Sequence, residues 1–170
     1  MSSFDDAFAA LLGNEGGFTA DAKDRGNWTS GQVGVGQLKG TKYGISAMSY
    51  PDLDIKNLTL DAAKQIYKRD YWNPFGGDLL APALAFQVFD GAVNSGVVQS
   101  IKWLQQAVHV SADGVLGPVT KAAVDNHPSA TVVAAYNGYR LKFMVSAKTW
   151  STYSSGWAIR IADNLIRSAA

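Results

Sequence analysis

Apolar residues recur at helical spacing at both ends and in the middle of the chain, and lose that period over one long glycine-rich stretch near the start. Phe4, Phe8, Leu11 and Leu12 mark a first helix, with Ser3 as its expected N-cap and Asp5 and Asp6 in the first turn, where the helix dipole favours negative charge. From 13 to 44 the chain reads as loop or small twisted strands, with a short alternating run from Gln32 to Leu38. A long irregular segment of this kind in a compact domain is usually functional. The next helix is predicted over 59–72, capped by Thr59 and stopped by Pro74, and another over 82–94. After Gly96, Val98, Ile101, Leu104 and Val108 share one face of a helix over 97–108. Asp113-Gly114 makes a turn, Pro118 sits where a helix accepts proline, and two more helices follow over 129–146 and 156–167. The pattern predicts a mainly α fold with a small glycine-rich loop or β-hairpin region after the first helix.

At 170 residues the chain is long enough for a single domain that needs no metal or disulfide to hold it. We expect that domain to span 1–170, with a catalytic portion over about 1–80 and a helical portion over about 81–170. The absence of cysteine removes thiolate metal sites and a cysteine nucleophile together. His109 and His127 are isolated, so neither a metal nor another cofactor is expected. The N-terminus has no basic and apolar leader pattern, and no apolar run is long enough to span a bilayer. The expectation is a chain made in the cytoplasm without a signal peptide and without stable membrane insertion. A formal net charge of +1 argues against a nucleic-acid binder that neutralises many phosphates. The average conceals a gradient: residues 1–100 carry eight basic and eleven acidic groups, residues 101–170 seven and three. The C-terminal part would favour an anionic polymer.

Glu15 is the only glutamate, set in Asn14-Glu15-Gly16-Gly17-Phe18 directly after the first helix; the other thirteen acidic residues are aspartates. Neighbouring glycines leave such a carboxyl open to a ligand, although a glycine pair past a helix is also an ordinary stop signal. Asp24 follows nine residues later, with Asp21 just before it. A helix-ending glutamate and a loop that returns an aspartate towards it form the two-carboxylate layout that glycosidic cleavage requires. One carboxyl protonates the leaving oxygen, and the other stays ionised to activate water or stabilise positive charge on the sugar. Thr41, in Thr41-Lys42-Tyr43-Gly44-Ile45-Ser46, could hold a water through its hydroxyl.

Glu15-Gly16-Gly17-Phe18, Asp24-Arg25-Gly26 and Tyr43-Gly44-Ile45-Ser46 resemble the opening of glycoside hydrolase family 108, the N-acetylmuramidases found as bacteriophage endolysins. Asp70-Tyr71-Trp72-Asn73-Pro74-Phe75-Gly76-Gly77-Asp78-Leu79 and Phe89-Asp90-Gly91-Ala92-Val93-Asn94-Ser95-Gly96 are similar to its central blocks. Leu104-Gln105-Gln106-Ala107-Val108 with Asp113-Gly114-Val115-Leu116-Gly117-Pro118-Val119-Thr120 resembles its peptidoglycan-binding segment. The resemblance implies a lysozyme-like helical fold that hydrolyses the β-1,4 bond between N-acetylmuramic acid and N-acetylglucosamine. Glu15 would be the general acid, with Asp24 and Thr41 positioning water. One departure is visible: where the family has a short Asp-Pro-Gly-Gly type loop, this chain has Asp24-Arg25-Gly26-Asn27-Trp28 and then an extended glycine-rich stretch over 31–40. The partners implied are bacterial peptidoglycan, at the cell wall in the periplasm, and a holin for export, with the chain acting as a monomer.

Other residues keep two readings. Trp28, Tyr43, Tyr71, Trp72 and Phe75 can stack on sugar rings, but aromatics at such spacings are more often core. Asp90 reads best as a buried structural group, whereas Asn94, on the same helix face, divides between packing and gripping a sugar N-acetyl group. Two further classes stay open at this point. A lytic transglycosylase would use Glu15 alone, and a non-catalytic peptidoglycan-binding or tail-associated protein would need no Glu15 at all.

Overall fold

A computed structural model describes residues 4–13 and 17–169. Two compact units emerge, one spanning Phe8–Lys68 and the other joining Met1–Ala7 to Arg69–Ala170. The chain begins with helix α1 (Phe4–Leu12), and the expected Ser3 cap lies outside the described residues.

The Phe8–Lys68 unit is mostly loop, held together by backbone hydrogen bonds. Among the described residues its sheet is a two-stranded antiparallel hairpin, β1 (Thr41–Lys42) and β2 (Ile45–Ser46), pairing Thr41 with Ser46 and Lys42 with Ile45. Tyr43 and Gly44 form its two-residue turn with φ of 52° and 75°, the left-handed pair that a tight hairpin of this twist requires. A side chain at Gly44 would also run into the Tyr67 hydroxyl, which donates to the Tyr43 carbonyl at 3.0 Å. The Tyr-Gly pair is thus fixed by backbone sign and by a close approach together. Helix α2 (Leu60–Tyr67) starts where Thr59 caps the Ala62 N–H, and buries Ala63, Ile66 and Tyr67. Phe8 packs its ring on Tyr67, with centroids 5.4 Å apart.

The alternation from Gln32 to Leu38 does not produce a strand. Only Leu38 pairs, in a single bridge to Trp28, and Val33 and Val35 stand exposed. Gly31, Gly34 and Gly36 all take positive φ, a geometry that extended strands do not contain, so the segment folds into successive turns. The helix expected over 59–72 also changes character. It is α only to Tyr67 and then widens into a π-helical turn, Lys68–Trp72, which carries Trp72 into the core.

The second unit is helical: α3 (Pro82–Ser95), α4 (Val97–Ala107), α5 (Pro118–Asp125), α6 (Ser129–Val145) and α7 (Trp150–Ala169). Helices α3, α4, α6 and α7 pack on one another. Helix α3 is buried from Leu84 to Ala92 without a polar stripe, which identifies it as the central helix. A Cβ at Gly91 would collide with the Tyr136 hydroxyl, so this glycine lets α3 and α6 approach closely. That hydroxyl lies 2.7 Å from Ser100 Oγ, which donates to the Val88 carbonyl, and burial pushes its pKa well above the ordinary phenol range. Helix α7 begins six residues before the expected start and runs through Gly156. A side chain there would meet nothing, so the glycine costs only helix propensity.

One charged cluster is buried among these helices. Asp90 on α3 meets Arg140 Nη1 of α6 at 2.6 Å, Arg160 Nη2 of α7 at 2.6 Å and Asn164 Nδ2 at 2.9 Å. Burial pushes the Asp90 carboxyl up, but the two guanidinium groups outweigh it and hold the group below the usual carboxylate value.

Candidate active site

The loop that follows α1 is organised around Asn27, a fully buried residue that the sequence reading passed over. Its Nδ2 donates to the Asp21 carbonyl at 3.0 Å, its own carbonyl accepts the N–H groups of Lys39 and Gly40, and its N–H reaches the Asp24 carbonyl at 3.1 Å. Because Nδ2 must face a carbonyl, Oδ1 is left as the acceptor for Thr41 Oγ1 at 2.7 Å. The Thr41 hydroxyl is therefore a donor to Asn27, and its oxygen keeps its acceptor capacity for a water. The signal in the sequence was slight. An asparagine beside a glycine in a loop reads as a turn residue, and only its complete burial reveals it as a hub.

Asp24 starts the short 3₁₀ turn Arg25–Asn27, with Oδ1 accepting the Gly26 N–H at 2.8 Å. The side chain is exposed, and Oδ2 has no hydrogen-bond partner among the described residues. Thr41 is fixed on its other side by a reciprocal backbone pair with Thr19, 2.9 and 2.8 Å, a single bridge that docks the segment around Thr19 onto β1. Gly40 permits that approach, since a Cβ there would strike the Thr19 carbonyl and the Phe18 ring. Glu15 itself lies outside the described residues.

Trp28 is half-buried in the same loop, its Nε1 donating to the Ala22 carbonyl at 2.9 Å. Tyr43 is half-buried at the hairpin turn, with Lys42 Nζ 5.4 Å from its ring centroid. Asp24, Trp28, Thr41 and Tyr43 thus belong to one unit. Trp72 and Asn94 belong to the other. Trp72 is 1% exposed, packed edge-on against Phe4, Phe75 and Phe89 with its Nε1 on Asp78. No face of its ring is open to a sugar, so the core reading of this residue prevails over the stacking one. Asn94 is exposed and donates to the Asp90 carbonyl at 2.7 Å. Asp90 is tied to the arginines of α6 and α7 and serves packing. Gln105 and Asp113 lock the turn before α5: Gln105 Nε2 donates to Asp113 and Thr120, and its Oε1 accepts the Gly114 N–H. Among the described residues no group of three or more metal-ligating side chains comes together.

The fold is mainly α and lysozyme-like, with an exposed aspartate and a threonine hydroxyl in the unit that follows the start of its first helix. The family model Glycosyl hydrolase 108 matches residues 8–96, more than half of the chain, and the chain belongs to that family. It is a glycoside hydrolase that acts on peptidoglycan. Among solved structures it is similar to one described as the structure of Brucella abortus SagA. The two share 29% sequence identity with a TM-score of 0.81, over 98% of this chain and 93% of that one. No curated protein matches the chain. The family match ends at residue 96, before the Leu104–Thr120 stretch that resembles a peptidoglycan-binding segment.

Proposed function

We propose that the chain is an N-acetylmuramidase that hydrolyses the β-1,4 bond between N-acetylmuramic acid and N-acetylglucosamine. The observation that carries the reading is the hydrogen bond from Thr41 to Asn27, which leaves the Thr41 oxygen able to accept from a water, while Asp24, whose carbonyl accepts the Asn27 N–H, keeps Oδ2 open. In this mechanism Glu15, as the protonated acid, gives its proton to the glycosidic oxygen as the bond to the anomeric carbon breaks. The carboxylate of Asp24 takes a proton from the water that Thr41 orients, and that water attacks the anomeric carbon from the opposite face. Trp28 and Tyr43 would line the sugar path.

Glu15→Gln keeps the side chain's size and removes its acidic proton, so turnover should fall by about 10²- to 10⁴-fold. The check is a mass spectrum of soluble fragments released from purified sacculi. Reducing N-acetylmuramic ends from the native protein that vanish in the variant are the expected result; anhydro ends would point instead to transglycosylation, and undiminished turnover in the variant would refute the role of Glu15.

We extend the reading to an endolysin made in the cytoplasm of a phage-infected host and released to the periplasmic wall by a holin. Among the described residues no helix is long and apolar enough to cross a membrane. Cells that express the chain should stay intact until a holin is co-expressed; lysis without one would count against this role.

A further inference from the structure

The Phe8–Lys68 unit carries a pocket of about 350 Å³ that the catalytic reading does not use. Phe18 and Leu38 give it an apolar wall, and both are unusually open for such residues, at 42% and 40% exposed. Lys39, Lys56, Asp52 and Asp54 supply two charges of each sign. The pocket adjoins the catalytic strand. Phe18 directly precedes Thr19, which pairs with Thr41, and Lys39 lies two residues before Thr41.

Its walls are fixed before any ligand arrives. Lys39 Nζ donates to the Pro51 carbonyl at 2.6 Å and Lys42 Nζ to the Lys56 carbonyl at 3.1 Å, so two lysines fasten the 51–56 segment to the strand that holds Thr41. Asp54 is committed to Asn57 through its side-chain amide and its N–H. Those bonds, with the nearby charges of Lys39 and Lys56, hold its carboxyl below the usual value. By contrast, the Lys56 ammonium and the Asp52 carboxylate have no hydrogen-bond or ion-pair partner among the described residues, although both face solvent at the same pocket.

A neutral N-acetyl sugar has hydroxyls and an amide to offer ionic groups but no charge of its own to pair with either sign. A chain bearing carboxylates and an ammonium gains from both signs. Peptidoglycan contains one such element, the peptide attached to its muramic acid. We infer that this pocket binds the zwitterionic stem peptide of the substrate, a peptide carboxylate meeting Lys56 and the ammonium of its diamino acid meeting Asp52, with Phe18 and Leu38 covering the aliphatic part. The inference rests on the peptidoglycan-cleaving reading above and deepens it: the enzyme would select peptide-bearing glycan at a point beside Thr41.

Two measurements test it separately from the chemistry. In the first, backbone amide shifts of residues 52–56 are followed while free L-alanyl-γ-D-glutamyl-diaminopimelate is added to the native protein and to Lys56→Glu. In the second, kcat/KM is compared on peptide-bearing glycan and on the same glycan stripped of peptide by an amidase. Exposed charge pairs of this type are worth about two- to fivefold each in binding. The expected result is tripeptide-dependent shifts and a native preference of about fivefold for peptide-bearing glycan, with the shifts lost and the preference reduced towards one in Lys56→Glu. Cleavage of both glycans at equal rates, without tripeptide shifts, would overturn the inference and leave the muramidase reading standing. Tripeptide shifts without cleavage of either glycan would sustain the pocket and sink the muramidase reading. Shifts with peptide-free glycan fragments instead of the tripeptide would make this a sugar subsite and overturn the inference.

Discussion

The two units of this protein bury polar groups by opposite means. In the Phe8–Lys68 unit the buried polar centre is the neutral Asn27, whose side chain bonds the Asp21 carbonyl and the Thr41 hydroxyl while its main chain bonds Asp24, Lys39 and Gly40. In the helical unit it is the ionised Asp90, satisfied by guanidinium groups from two other helices. Backbone groups in a helix largely bond to one another and leave only spare carbonyl capacity, as Val88 does for Ser100, so an ionised carboxylate buried there needs side-chain donors. A loop has unmatched backbone groups to offer. The consequence is a division of labour. The helical unit resists disruption through apolar packing and one costly ionic cluster, while the loop unit places individual atoms, such as Thr41 Oγ1, with neutral bonds that bring no strong field of their own to the site.

The largest effect that would sharpen this contrast is expected at Asp90. Asp90→Asn strands the fully buried Arg140 without its counter-charge, and breaking one partner of a buried pair costs about 3–5 kcal/mol. Denaturant unfolding would measure the loss, and kcat per folded molecule should stay near native. The pH dependence follows the same group. Its carboxyl is held below the ordinary value of 3.8 in the folded protein, so its stabilisation is complete above that value and is lost as pH falls through the lowered folded value. Native stability should therefore drop on acidification below pH ~4, and Asp90→Asn should lack this component.

A smaller loss of stability with a larger loss of activity is expected at Asn27. Asn27→Ala leaves the Asp21 carbonyl and the Thr41 hydroxyl without their partner, at about 1–3 kcal/mol, and frees Thr41 Oγ1 to rotate. Turnover on purified peptidoglycan, normalised to the folded fraction, should fall by about 10²-fold, the scale of a misplaced catalytic group. If instead Asp90→Asn lowered kcat and Asn27→Ala only lowered stability, the division between a packing unit and a positioning unit would be broken.

Much of this was legible in the chain. The helical periods around Phe4, Leu84, Ile101 and Tyr136 answer to elements that do form, because burial of a continuous apolar face dominates their energy. The Thr59 cap and Pro118 at the start of α5 are local rules obeyed locally. Of the two readings of the Gln32–Leu38 alternation, loop or small strand, the loop prevails because Gly31, Gly34 and Gly36 in the left-handed region override a two-residue period. Trp72 left both readings open, since its spacing cannot say whether its faces meet Phe4, Phe75 and Phe89 or a ligand.

By itself the sequence determined the helical class, a small glycine-rich or hairpin region after the first helix, the family resemblance and the choice of Glu15, Asp24 and Thr41 as candidates. These depend on residue identity and on neighbours a few positions away. Only the tertiary structure decided that Asn27 joins the Asp24 turn to Thr41, that the Asp90 carboxylate pairs with Arg140 and Arg160 while Asn94 bonds its main-chain carbonyl, and that Phe18, Leu38, Lys39 and the 52–56 segment enclose one pocket. The contacts of Asn27 with Thr41 and of Asp90 with the arginines link residues 14 to 70 positions apart, and their directions are set by chain closure and burial, which no local pattern encodes.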